Sequence, residues 1–320
     1  MRYRQLVGTD LKVSAVALGT DVYGSDLDEI TSYELLDTYT DLGGNLIDTA
    51  LIYADWVPGE KSRSEKLIGR WMRERKNRQN LIISTKGAHP RLETMNQSRL
   101  SKKEIMSDID TSLLNLGIDY IDIYWLHRDD EQIEVGETME TLGDIVKMGK
   151  ARYIGMSNWT HKRIAAANRY AKLHNTAPVF ASQIQYSAAT PNVHNNDPTL
   201  VLMNDEEYEY FKETKLSVFA FASQAKGFFS KMETGGEAAL SKKARERYLN
   251  SKTLKTYEKI RDAAKITGHT VSEIAVAVLT NNPNFVTIPI VGCKNTSQLK
   301  ESLSGGNIIL PKNITEQFHK

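Results

Sequence analysis

Cysteine is almost absent, and the one copy, Cys293, allows no intramolecular disulfide and no multi-cysteine metal centre. No apolar run approaches the length that spans a bilayer. The opening Met1-Arg2-Tyr3-Arg4-Gln5 has no long apolar core of a secretion signal, so a cytoplasmic location is expected. An excess of either charge is missing too: 41 Lys plus Arg stand against 40 Asp plus Glu, which gives no global field for nucleic acid or an anionic membrane. No Gly-x-Gly-x-x-Gly occurs, so a Rossmann nucleotide fold has no support. No linker rich in Pro, Gly or Ser divides the 320 residues, and no repeat of fixed period appears. One domain, 1–320, is expected, with no metal.

What is present is alternation. A hairpin turns at Gly8-Thr9-Asp10, and an apolar strand runs from Val13 to Leu18. Leu35, Tyr39 and Leu42 share a helical face that Gly43-Gly44 ends. Ser62 and Glu65 have capping-box spacing before Leu67, Ile68 and Trp71, and so do Ser101 with Glu104 and Thr270 with Glu273. Eight strand-helix units follow one another, the last strand at Val286 to Pro289 and the last helix from Asn295. Eight such units predict an α/β fold, a (β/α)8 barrel of the TIM type with an N-terminal β-hairpin and extra helices. Ala88 to Arg99, Ser187 to Leu202 and Ser230 to Ser241 read as long loops over its mouth.

Four polar residues each follow an apolar run: Asp48 after Asn45-Leu46-Ile47, Tyr53 on the loop beyond, Lys86 after Leu81 to Thr85, and His127 after Ile121 to Leu126. The strand ends of such a barrel face one mouth, so these side chains meet there. Reduction of a carbonyl puts negative charge on oxygen and needs a proton donor within hydrogen-bond reach. A free tyrosine, with pKa about 10, is a weak acid. An ammonium beside it lowers that pKa, and a carboxylate keeps the ammonium charged. An imidazole orients the oxygen or relays a proton. Singly, each residue also reads as a cap, a solvated lysine, a surface histidine or a packing tyrosine.

On these residues the chain resembles the aldo-keto reductases. The matching stretches are Asn45 to Tyr53, Ser84-Thr85-Lys86, Leu126-His127-Arg128, Gly149 to Trp159 and Gln183-Ile184-Gln185-Tyr186. The resemblance covers about Leu6 to Leu303. It implies an eight-stranded barrel that binds NADPH, less often NADH, and reduces aldehydes and ketones, with Asp48, Tyr53, Lys86 and His127 as catalytic tetrad. It also implies that Ser157, Asn158 and Gln183 hold the nicotinamide carboxamide and that Phe221 stacks on the ring. Thr20 and Asp21 match contacts near the nicotinamide.

The segment Ala222-Ser223-Gln224-Ala225-Lys226-Gly227 departs from the family's usual Ser-Pro-Leu; backbone amides at Ala222, Gln224 and Gly227 are its candidate pyrophosphate contacts. Gly292, Lys294, Gln298 and Glu301 match the adenosine segment, with Ser302 in place of a common Asn. Lys294 at a helix start suits a 2′-phosphate, hence NADPH over NADH; otherwise it is a solvated lysine. Tyr23, Trp56, Arg128 and Trp159 are candidates for the substrate side, or else, for the aromatics, rim packing. Tyr186 belongs to either group. Cys293 is either oxidation-sensitive or a small buried residue.

A small carbonyl compound is the implied partner; the oligomeric state is not legible. One rival reading is a nucleotide-binding sensor or partner subunit with little turnover, as in the potassium-channel subunits of this family. The other is a barrel aldolase or isomerase using Lys86 as Schiff base, which Asp48 opposes by keeping the amine charged.

Overall fold

The computed structural model describes residues 1–319. Two short strands come first, β1 (Tyr3–Gln5) and β2 (Lys12–Ser14), paired antiparallel with Arg4 opposite Val13. Eight more follow: β3 (Ala17–Gly19), β4 (Leu46–Asp48), β5 (Ile82–Gly87), β6 (Ile121–Leu126), β7 (Ala151–Ser157), β8 (Val179–Gln185), β9 (Ser217–Phe221) and β10 (Thr287–Val291). They close in that order into a parallel barrel, β10 pairing with both β9 and β3. The (β/α)8 barrel with an N-terminal hairpin is therefore the fold.

Helices cross over between the strands and turn apolar stripes inward. Glu29–Asp41 lays Leu35, Leu36 and Tyr39 against β3 and β4; Lys102–Leu116 buries Ile105, Ile109 and Leu116. Inside the barrel, Trp125, Phe180 and Phe219 fill the centre with Leu46, Ile123 and Ile288. Leu6, Leu11 and Val13 of the hairpin join this cluster, so the hairpin floors the barrel at the end opposite the site. Ion pairs tie it down: Arg152 reaches Asp10 at 2.7 Å and Asp122 at 3.0 Å.

Four local expectations need correction. The apolar run Val13 to Leu18 is split, since Val13 pairs within the hairpin while Ala17 and Leu18 pair with β10. Leu42 is an exposed C-cap, not part of the buried face. Ser62 and Glu65 make no capping box: Ser62 sits at φ 56° and gives its N–H to Asp55 Oδ1 (2.6 Å). Glu65 instead turns inward, accepting from Thr85 Oγ1 (2.6 Å) and Asn115 Nδ2 (3.0 Å). Ser230 to Ser241 is largely helical, covered by Phe228–Gly235 and a short turn at Gly236–Ala239. The box formed by Thr270 with Glu273, and the Ser101 cap, form as the spacing predicts.

Candidate active site

Asp48 is the last residue of β4 and pairs with Ser84 of β5; Lys86 lies two residues further, opposite Trp125 of β6. Pairing continues past β4, because Thr49 N–H bonds Ser84 O (2.8 Å) and Leu51 N–H bonds Lys86 O (3.0 Å). The chain then turns, Tyr53 N–H to Ala50 O, and brings the phenol back over the lysine. Lys86 Nζ donates to Asp48 Oδ2 (2.6 Å), Thr49 O (2.8 Å) and Tyr53 OH (3.1 Å). An ammonium has three donors, and all three are engaged. Since the phenol oxygen accepts from Lys86, its own proton is directed away from the lysine. His127 follows β6, its N–H on Gly87 O (2.9 Å), with its ring set edge-on to the Tyr53 ring, centroid to centroid 5.9 Å.

A further layer holds Asp48. Its Oδ1 accepts from Ser84 Oγ (2.7 Å) and Gln183 Nε2 (3.1 Å). Ser84 in turn accepts from Trp125 Nε1 (2.7 Å). Indole is a donor only, so the serine proton must go to the carboxylate. Neither Ser84 nor Trp125 stood out in sequence, nor did His89, whose ring lies 4.6 Å from that of His127. The signal for His89 was its place three residues beyond Lys86; for the other two, only the strand register reveals the contact.

Burial sets the protonation states. It pushes the Tyr53 phenol above its ordinary range; Lys86 pulls the other way but does not win, and Asp48 and Asp21 add to the rise. The expected net lowering by lysine is thus overturned. Burial also pulls Lys86 down, yet Asp48 and Tyr53, by charge and hydrogen bond, outweigh it and the ammonium is strengthened. His127 is held well below the usual imidazole range by burial, then by His89, Arg128 and Lys86. Its buried Nδ1 has no partner. His89 is lowered to about 4, again chiefly by burial. Both rings are neutral at neutral pH.

Next to the tetrad, Ser157, Asn158 and Gln183 are buried at the ends of β7 and β8. Asn158, at φ 59°, ties its N–H to Gln183 O (3.0 Å) and its amide to His127 O (3.2 Å). Phe221 ends β9 half-buried. In the loop beyond, Ala222, Ala225, Lys226 and Gly227 all have positive φ (51°, 48°, 57°, 73°). Such left-handed turns make anion-binding concavities of backbone N–H groups, and non-glycine residues hold them only under constraint. Ser223 Oγ on Ile290 O (2.6 Å) and Gln224 Nε2 on Ser302 Oγ (3.0 Å) supply that constraint. Lys226 is lowered by burial and then by Arg247 and Lys243, a cationic group that sequence inspection missed.

Thr20 is buried, with its Oγ1 on Asp48 O (3.0 Å). Asp21 lies at the lip, its Oδ1 3.6 Å from where a Cβ on Gly292 would stand. Lys294 is exposed ahead of the helix Thr296–Asn307, its N–H on Gln298 Oε1 (2.9 Å); Glu301 accepts from Thr270 (2.9 Å).

The substrate-side candidates separate. Trp56 is 49% exposed, whereas Trp159 is 0% exposed, stacked under Arg163 at 4.7 Å with Nε1 on Arg128 O (3.3 Å). Trp159 therefore packs the rim and offers no ring face. Tyr23 is also fully covered, its buried hydroxyl unpaired, and Tyr186 is half-buried against the outer core. A cavity of about 320 Å³ runs from Lys86 and His89 outward past Leu51, Arg91 and Asp108. Burial pushes the Cys293 thiol up to about 11, which favours the inert reading. Among the described residues, no cluster of His, Cys, Asp and Glu could hold a metal ion, and no helix is long and apolar enough to cross a membrane.

Comparison with known proteins gives the family. The Aldo/keto reductase family matches residues 15–319. An uncharacterized oxidoreductase, YrpG, of Bacillus subtilis is 29% identical over 100% of this chain and 95% of its own length. A probable voltage-gated potassium channel subunit beta of rice (Oryza sativa subsp. japonica) is 26% identical, covering 97% and 92%. Norsolorinic acid reductase B of Dothistroma septosporum is 25% identical, covering 99% and 81%.

Proposed function

Because this chain belongs to the aldo/keto reductase family, we propose that it reduces an aldehyde or ketone to the alcohol with NADPH as electron donor and Tyr53 as proton donor. The observation that carries this reading is the ammonium of Lys86, bonded at once to Asp48 and to the Tyr53 hydroxyl. Carbonyl reduction in general follows from the family; the cofactor choice and residue roles are our reading.

The rim from β7 to β10 fits a nicotinamide nucleotide. Ser157, Asn158 and Gln183 would take the carboxamide. Gln183 gives its Nε2 to Asp48, which leaves its Oε1 as an acceptor. Phe221 would stack on the ring, and the left-handed turn Ala222 to Gly227, with Lys226 and Arg247 near, would take the pyrophosphate. Lys294, exposed before a helix start, would meet a 2′-phosphate, which favours NADPH over NADH. When bound, the dihydronicotinamide supplies a hydride to the substrate carbon.

The chain's own groups handle the oxygen. Tyr53 enters the reaction protonated, its hydrogen directed toward the mouth. As charge grows on the carbonyl oxygen, that proton transfers, and the phenolate left behind is stabilised by the Lys86 ammonium. Asp48 keeps the ammonium charged throughout. His127, neutral, orients the oxygen by hydrogen bonding and does not act as an acid. Solvent restores the proton to Tyr53.

Tyr53→Phe tests the assignment. It should lower aldehyde-dependent NADPH oxidation by about 10²–10⁴-fold while leaving NADPH quenching of protein fluorescence intact. Full activity in that variant would reject Tyr53 as donor, and tighter binding of NADH than NADPH would reject the cofactor preference. Nucleotide binding without turnover on any carbonyl would point to a sensor subunit.

A further inference from the structure

Arg128 stands directly after His127 at the end of β6, and its surroundings are unusual for a half-buried guanidinium. Arginines at the same mouth each have a carboxylate: Arg163 forks onto Asp129 (2.9 Å) and Arg99 onto Asp108 (2.6 Å). Arg128 has none within ion-pair distance among the described residues. Its hydrogen bond goes from Nη1 to the His127 carbonyl (3.1 Å), and its Nε is buried without a partner. The carboxylate whose field reaches it, Asp197, has Oδ1 engaged by Thr199 N–H (2.9 Å) and Oγ1 (2.7 Å).

The position is fixed, because the Trp159 indole holds the Arg128 carbonyl. The charge is also close to the chemistry: Arg128 and the Tyr53 phenol act on one another, and His127 and His89 both feel the guanidinium. Those two rings are neutral and cancel none of it. Around the barrel β6 lies opposite β10, so the phosphate-binding rim assigned to the cofactor is on the far side. A guanidinium withdrawn from water with its fork unfilled is costly unless an anion arrives.

We infer that the substrate carries a carboxylate or phosphate near its carbonyl group, and that Arg128 is the residue that receives it. This inference rests on the reductase reading for its site but has a readout of its own. Two matched pairs test it by kcat/KM: succinic semialdehyde against butanal, and glyceraldehyde 3-phosphate against glyceraldehyde. At least one anionic member should be favoured by about tenfold to a hundredfold, mainly through KM, and the pair that shows it identifies the anion. Arg128→Gln should bring the ratio near one, and Arg128→Lys should keep part of it, a point charge replacing the fork. A ratio near one in the wild type, or one unchanged in Arg128→Gln, would overturn the assignment.

Calorimetric titration of the full chain with succinate and with inorganic phosphate reads the same site without turnover. Binding that disappears in a folded Arg128→Gln supports the anion site even if no aldehyde is reduced, in which case the reductase reading alone falls. Neutral aldehydes reduced with no anion preference, and no Arg128-dependent binding, would remove the anion site and leave the reductase.

Discussion

A phenol that accepts a hydrogen bond from a fully engaged ammonium has its own proton free for whatever enters the mouth. Because burial raises the Tyr53 pKa, that proton stays in place across the neutral range. The sign has a direct consequence for direction. Reduction should be nearly flat from about pH 6 to 9, whereas oxidation of the alcohol, which needs the phenolate, should climb with pH over the same interval. Rates in both directions across that range check it; an oxidation rate flat with pH would contradict a raised phenol. The four candidate residues were legible because Asp48, Lys86 and His127 each follow a strand-like run and Tyr53 lies on the loop just beyond the first. Ser84 and Trp125 were not, since their roles depend on which strands become neighbours and in what register. His89 looked like a loop residue until its ring was found against that of His127.

Helices and strands were read well where one periodic face met one layer. They were misread where a residue had a better partner elsewhere. Glu65 abandons its expected cap because Asp55 already takes the Ser62 N–H, while Thr85 and Asn115 offer it donors on the inner side. The segment Ser230 to Ser241, with its paired glycines, reads as loop, yet Phe228 and Phe229 anchor its first turn in the outer core. Helix pairing also depends on one close approach. At Gly69 in the helix Arg63–Arg75, an added Cβ would lie 2.4 Å from Asn115 O and 2.8 Å from Leu116 O, both backbone atoms that cannot swing aside. Gly69→Ala should therefore destabilise by about 1–3 kcal/mol, despite alanine's better helix propensity. A lower urea midpoint with unchanged slope would show it; a midpoint at or above wild type would mean the helices slide apart freely.

For the molecule as a whole, stability carries a pH signature from the buried histidines. His89 is lowered to about 4, and His127 well below the ordinary value, so the unfolded chain takes up protons that the folded chain refuses. The stabilisation is complete above the unfolded pKa of about 6.5 and is lost as pH falls toward the folded values. For His89 alone the effect is roughly 3 kcal/mol between those limits. Denaturant melts at pH 7.5 and 5 should differ accordingly, and His89→Gln should shrink the difference. An unchanged difference in that variant would place the acid sensitivity elsewhere.

The hairpin at the opposite end has a consequence for evolvability. Leu6, Leu11 and Val13 seal the base against Trp125 and Phe219, so the cohesion of the cylinder is secured far from the loops where recognition happens. Insertions or exchanges among those upper loops inherit a scaffold that already stands, which leaves the chain free to acquire new specificities without renegotiating its architecture.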